Sequence, residues 1–240
     1  MNTEENILNE YINLTKKNVC KIDFNKEDVS ITDDKIGGIP YLPVGEEYPL
    51  DGEGNKMALF MQINLENVQL NEFPKKGILE IFISTNERIF EYETDGNITI
   101  KMYEPGLEYQ KDIEYVALPF LGGTYKLSMQ NDEVIRALDN KGEQIIKELI
   151  SKYNLNMTPM DFDEKISNLA YINSFIGGYP NISLYDPNID YISNDDECLF
   201  YISTDKFVDM GDVYAMFMTI KKEDLENEMF DNAEFNISYY

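Results

Sequence analysis

Apolar residues along this chain follow two kinds of spacing. Over Asn2–Lys17, Ile7, Leu8, Tyr11 and Ile12 form a stripe at helical spacing, with Thr3 available as an N-cap, so a helix is expected there. Lys141–Tyr153 carries the same stripe through Ile145, Ile146, Leu149 and Ile150. Elsewhere the pattern is strand-like. GILEIFIS (77–84), RIFEYE (88–93), NITIKMYE (97–104) and IEYVALPF (113–120) alternate or run apolar over strand lengths. Asp95-Gly96 and Glu104-Pro105-Gly106 read as the turns between them, and a short helix is expected near Lys222–Glu228. Strands joined by turns, with helices at the ends, predict an α+β fold of antiparallel-rich sheets with peripheral helices.

The elements recur in order. ENILNEYI (5–12) lies over EQIIKELI (143–150), with Glu5/Glu143, Ile7/Ile145, Glu10/Glu148 and Ile12/Ile150 identical. KIGGIPYLP (35–43) is answered by FIGGYPNIS (175–183), which places Gly177 140 residues after Gly37. Leu59-Phe60 begins 22 residues after Gly37, and Leu199-Phe200 begins 22 residues after Gly177. GILEIFIS is matched more loosely by DVYAMFMT (212–219). We therefore expect one domain over 1–240 built by internal duplication, with related halves near 1–130 and 135–240. The repeated device is expected to be a structural turn. Gly37-Gly38 and Gly177-Gly178 permit positive φ, and Pro40 and Pro180 fix φ at the start of an extended run. A phosphate cradle would need Lys-Ser/Thr after the glycines and a helix starting there, and Pro40-Tyr41-Leu42-Pro43 cannot open one.

Charge narrows the partners. Twenty Lys and Arg stand against 45 Asp and Glu, a net charge of −25. Such a field repels nucleic acid and anionic membrane surfaces and attracts a basic protein surface or a divalent cation. Histidine is absent, which removes the usual general base near neutral pH, every Ser-His or Cys-His nucleophile pair and the commonest zinc ligand. Two cysteines, Cys20 and Cys198, are expected to be reduced and buried. No apolar run reaches the roughly 18 residues of a membrane span, and the acidic start MNTEENILNE is unlike a secretory signal, so a cytoplasmic protein is expected.

Candidate chemistry is sparse. Tyr41, Tyr48, Tyr179 and Tyr185 flank the two glycine turns and are candidates to line a cleft between the halves. In the acidic stretch 186–197, Asp186, Asn188, Asp190 and Glu197 fall at positions 1, 3, 5 and 12 of a calcium-loop pattern. The glycine needed at position 6 is Tyr191, and a strand rather than a helix follows, so no metal site is assigned and these four are weak candidates. With 45 acids in the chain, nearby carboxylate pairs carry no information about glycoside chemistry. No cofactor is expected.

A family likeness emerges from Gly37, Gly38, Pro40, Pro43, Tyr48, Pro49, Gln62, Ile63, Asn64, Phe73, Pro74, Gly77 and Phe82. In this order they resemble the YwqG-like family, a bacterial domain of unknown function, and the likeness runs on through IGGYPNIS and Asp186-Pro187 over nearly the whole chain. Two departures stand out: Met210-Gly211-Asp212 replaces the family's Trp-Gly-Asp, and Asn181-Ile182-Ser183-Leu184 replaces a Phe-Thr-Gln-like run. The resemblance implies a duplicated α+β unit and no particular activity. Relatives often look like accessories in bacterial toxin–antitoxin neighbourhoods. The leading expectation is a non-catalytic protein-binding module, immunity- or antitoxin-like, towards a basic partner. The alternatives are a small-ligand-binding protein or histidine-free enzyme with a cleft between the halves, and a weak calcium-binding module.

Overall fold

The computed structural model describes residues 3–86, 97–170, 174–181, 196–204 and 212–239. Helix α1 (Thr3–Thr15) leads into β1 (Lys17–Asn25), β2 (Lys35–Ile36), β3 (Ala58–Asn64), β4 (Ile78–Ile83) and β5 (Ile98–Tyr103). The chain continues through β6 (Tyr125–Val134), α2 (Asn140–Lys152), α3 (Asp163–Ala170), β7 (Ser174–Gly177) and β8 (Asp196–Ser203). It closes with β9 (Val213–Lys221), α4 (Lys222–Glu226) and β10 (Glu234–Tyr239).

The runs ALFMQIN and ILEIFI have almost no exposed residue, which is the signature of strands covered on both faces. All ten described strands join one sheet in the order β10-β9-β8-β7-β1-β6-β2-β3-β4-β5, and every pairing between them is antiparallel. The sheet curls into a nearly closed barrel. Phe60 of β3 meets Phe200 of β8 at 5.5 Å and Phe235 of β10 at 6.1 Å between ring centroids, although these strands lie far apart in the strand order. Ile36, Met61, Ile63, Ile81, Ile176, Ile202 and Met218 fill the barrel interior with them.

Helices α1, α2 and α3 gather around a second core, whereas α4 buries Leu225 in the first. Ile7 and Tyr11 of α1 pack against Ile146, Leu149 and Ile150 of α2, with Phe162 and Ile166 of the 159–170 segment. Tyr11 donates its hydroxyl to the carbonyls of Arg136 (3.0 Å) and Ala137 (3.2 Å), pinning α1 to the chain leaving β6. Asp139 caps α2 by accepting from the Gly142 amide at 2.7 Å.

Two features depart from the hydrophobic pattern. The stretch 113–120 is not a strand: only Val116 makes an isolated bridge, to Ala58, and the segment runs over the sheet as coil. Pro119 lacks the donor a ladder needs. Conversely, β1 and β6 pair along nine residues, Lys17↔Val134 to Asn25↔Lys126, although β6 (YKLSMQNDEV) is too polar to read as a strand. The segment RIFEYE and the turn Asp95-Gly96 lie outside the described residues.

Candidate functional site

Registers across β2, β3 and β4 set Lys35 opposite Gln62 and Gln62 opposite Glu80. Because strand side chains alternate, their neighbours Ile36, Met61 and Ile81 enter the barrel while these three share the outer face. That face is not open. Lys35, Gln62 and Glu80 are all buried, Glu80 completely at 0% exposure. Chain segments 29–34, 39–57 and 104–118 cover them as irregular coil.

Coil brings unpaired backbone groups, and a buried backbone group needs a partner. The rung supplies them. Lys35 Nζ donates to the carbonyls of Ser30 (3.2 Å) and Ile31 (2.8 Å). Gln62 Nε2 donates to Ile31 O (2.8 Å) and Asp33 O (2.9 Å), while its Oε1 accepts from the Tyr41 amide at 3.0 Å. Glu80 Oε1 accepts from the same amide at 2.6 Å. Asp34, also buried, accepts from Asn64 N and from Asn67 Nδ2, both at 2.6 Å. Tyr41 then carries the connection outward, donating its hydroxyl to Leu107 O at 2.8 Å.

Two polar atoms are left over. Glu80 Oε2 and the Tyr103 hydroxyl are buried with no hydrogen-bond partner. Burial pushes the Glu80 carboxyl up to about 8, against the pull of the Tyr41 amide and the Lys35 charge. Burial likewise pushes Lys35 down to about 8, against the attraction of Glu80, Asp33 and Asp34. Both shifts express one cause: charge in this layer is separated from water. Tyr103 and Tyr48 are pushed up for the same reason, Tyr48 to about 12.

The cover is knitted to itself. Pro43 bridges Tyr109, Val44 N donates to Glu108 O at 2.8 Å, and Gln110 N donates to Leu42 O at 2.9 Å. Gln110 Nε2 adds bonds to Pro43 O (3.1 Å) and Glu46 O (2.8 Å), and Lys56 Nζ reaches Glu114 O at 3.0 Å. Outward, this layer presents Val44 (61% exposed), Leu50 (54%), Leu107 (45%) and Tyr115 (43%). Among them stand exposed Glu46, Glu47, Glu53, Glu104, Glu108, Asp112 and Glu114, with Lys56 and Lys111 the cations of these two stretches.

The tyrosines named from sequence fall into separate places. Tyr41 is fully buried in a cluster with Leu42, Ile78 and Tyr103, and Tyr48 packs against it while donating to Met57 O at 3.0 Å. Tyr179 packs on the outer face of the other sheet half, between the Arg136 guanidinium (4.3 Å) and the Lys17 ammonium (4.5 Å). Tyr185 lies outside the described residues. Gly37, Gly38, Gly177 and Gly178 have φ of +72°, +81°, +82° and +73°. Each turn is also closely packed: a Cβ on Gly37 would lie 2.8 Å from Leu121 Cδ2, and one on Gly177 2.5 Å from Leu70 Cδ1. Pro40 is buried and Pro180 half-buried. Of the calcium-pattern residues, Asp186, Asn188 and Asp190 lie outside the described residues. Glu197 is the second residue of β8, and both its carboxylate oxygens accept from Lys17 Nζ at 3.1 Å. Among the described residues no group of three or more Cys, Asp or Glu is placed to hold a metal.

Lys35 and Glu80 escape a sequence reading, and Gln62 enters it only through the family pattern. The available signal was Glu80 and Gln62 themselves, each a polar residue inside an otherwise apolar strand run. No helix of the described residues is long and apolar enough to cross a membrane. Cys20 and Cys198 are free and buried, and burial raises both thiols.

In class, this is a mixed, sheet-rich protein whose ten described strands form one antiparallel sheet, curled nearly into a barrel, with a polar rung buried beneath a coil layer. Residues 34–238 match the family described as Domain of unknown function (DUF1963), and the chain belongs to that family. The match begins at Asp34 and so takes in Lys35, Gln62, Glu80 and both glycine turns. No curated protein matches the chain significantly.

Proposed function

We propose that this protein is a non-catalytic protein-binding module that docks a basic, amphipathic protein partner, in the manner of an immunity protein neutralising a toxin. The observation that carries the reading is the composition of the cover. Val44, Leu50, Leu107 and Tyr115 are solvent-exposed on a layer that also exposes seven carboxylates, counted as Glu46, Glu47, Glu53, Glu104, Glu108, Asp112 and Glu114. Large apolar side chains exposed together favour a partner that covers them. The surrounding carboxylates select one with cationic groups at its rim and speed its approach. The net charge of −25 acts in the same direction over a longer range.

Three narrower statements belong to this reading. The chain is a YwqG-like member of its family, its two sheet halves descend from one duplicated unit, and it works in the cytoplasm. The free, buried cysteines favour a reducing compartment. The duplication draws support from the sheet order, in which β2, β3, β4 and β5 stand on one side of the β1–β6 pair as β7, β8, β9 and β10 stand on the other. Both β3 and β8 also carry a bulge, at Leu59/Met61 and Cys198/Phe200.

The test is capture of tagged protein from a lysate of its source cells in low and in high salt, followed by the same capture with Glu46, Glu108 and Glu114 all changed to Lys. One basic protein held stoichiometrically at low salt, shed at high salt and not held by the variant, is the expected result. Retention unaffected by the three substitutions contradicts docking on this layer.

A further inference from the structure

Every hydrogen-bonding atom of the rung is committed to the cover except Glu80 Oε2, and the remaining orphan of that layer is the Tyr103 hydroxyl. Pinning the coil therefore accounts for Lys35 and Gln62 and leaves half of Glu80 unexplained. The position of Glu80 supplies a role. Its Oε1 holds the Tyr41 amide, the Tyr41 hydroxyl holds Leu107 O, and Leu107 with its neighbour Glu108 belongs to the docking layer, where Glu108 O holds Val44 N. A single buried carboxyl is thus two hydrogen bonds from the proposed contact surface.

We infer that Glu80 is a proton-operated latch on the cover: neutral, it holds the layer shut, and ionised, it favours an opened layer in which water reaches its second oxygen. As a regulator of docking it rests on the proposed binding function, but the latch itself does not. The physical basis is the orphan atom. A neutral carboxyl leaves one weakly polar O–H unpaired, whereas a carboxylate leaves a charged oxygen unpaired in the same dry layer, a far larger penalty. The charged and titratable groups around Glu80 leave that penalty in place. Lys35 from β2 attracts it but spends two donors on carbonyls, and Asp33 and Asp34, before β2, draw on the same Lys35 charge. Lys101 sits opposite on β5 and is half-buried. Tyr103 and Tyr48 contribute neutral hydroxyls, and the charge of Glu46 acts on Tyr103.

The direction follows from the carboxyl's preference for its proton when covered. Between about pH 5 and 8 an opened cover releases that proton and a closed one keeps it, so opening becomes up to about tenfold easier per pH unit. Above about 8 Glu80 is ionised in both states and its effect levels off.

Amide hydrogen exchange on the full chain tests this directly, with rates corrected for the intrinsic pH dependence. Protection at Tyr41–Val44 and residues 104–110 is expected to fall by at least tenfold from pH 5.5 to pH 8 in the wild type. In Glu80→Gln, which keeps an acceptor for the Tyr41 amide but cannot ionise, the same segments stay level. Glu80→Leu, which removes the acceptor altogether, is expected to be poorly protected and equally level. A fall of the same size in both variants, or none in the wild type, overturns the latch. A defined amphipathic Lys/Leu peptide, titrated at both pH values, then separates the readings. Weaker binding at pH 8 in the wild type alone supports regulation, equal weakening in Glu80→Gln removes it, and no binding at either pH counts against the docking function while leaving the exchange result to stand.

Discussion

The outer faces of the two sheet halves make the same rung from opposite materials. Strands β2, β3 and β4 align Lys35, Gln62 and Glu80; β7, β8 and β9, at the mirror positions in the strand order, align Phe175, Tyr201 and Phe217. The aromatic rung is held by stacking, with centroids 5.1 Å apart for Phe175–Tyr201 and 6.2 Å for Tyr201–Phe217. Its described neighbours include the apolar Val19 and Val134 and the ring of Tyr179, and the Tyr201 hydroxyl donates to the backbone at Asn181 O, 3.3 Å away. The polar rung lies beneath coil and answers that coil's carbonyls and amide one by one. On the polar side, coil backbone laid over the sheet face calls for hydrogen-bonding side chains beneath it.

The largest effect is expected where one residue serves the most backbone groups. Gln62→Leu strands the carbonyl of Asp33 and removes a donor from Ile31 O and an acceptor from Tyr41 N, so denaturant unfolding should show a loss of roughly 3–5 kcal/mol. The reverse exchange, Tyr201→Gln, places an amide in a stacked aromatic rung and should cost about 3 kcal/mol. A neutral result for either would mean the two rungs are interchangeable.

Glu80→Gln is expected to be smaller and to depend on pH. The folded-state pKa of Glu80 lies above its unfolded value, so its contribution is fully present below about 4.5 and is lost as pH rises towards about 8. Lys35 has the opposite sign: lowered on folding, its contribution is present above 10.5 and lost as pH falls towards about 8. The wild type should therefore have a stability minimum near pH 8, and melting curves of Glu80→Gln should lack its acidic limb. A variant no better than the wild type at pH 8 refutes the assignment. The smallest effect on stability belongs to Leu107→Ser with Val44→Ser. Both positions are exposed, so the pair should shift stability by no more than about 0.5 kcal/mol while weakening partner capture in the salt-split assay.

Sequence made the apolar strands legible because β3, β4, β8 and β9 are buried on both faces and read as continuous runs. The helices α1, α2 and α4 were legible from their stripes and ends. The central pair was not, since β6 exposes half of its residues and its strand state is imposed by nine residues of pairing with β1. The 113–120 stretch failed in the opposite sense: Leu118 is buried and Val116 bridges Ala58, but they do so from a coil that turns Tyr115 outward. The rung was hidden for a related reason. Nothing local tells a lysine beside a glycine turn that carbonyls from residues 30 and 31 will close over it.

The most direct measurement is amide hydrogen exchange of Gln62→Leu against the wild type, read separately over residues 29–57 with 104–118 and over β7–β9. If the polar rung exists to hold the coil, protection falls by at least tenfold in the cover and stays unchanged in β7, β8 and β9. An equal loss in both regions, or protection retained in the cover, contradicts it.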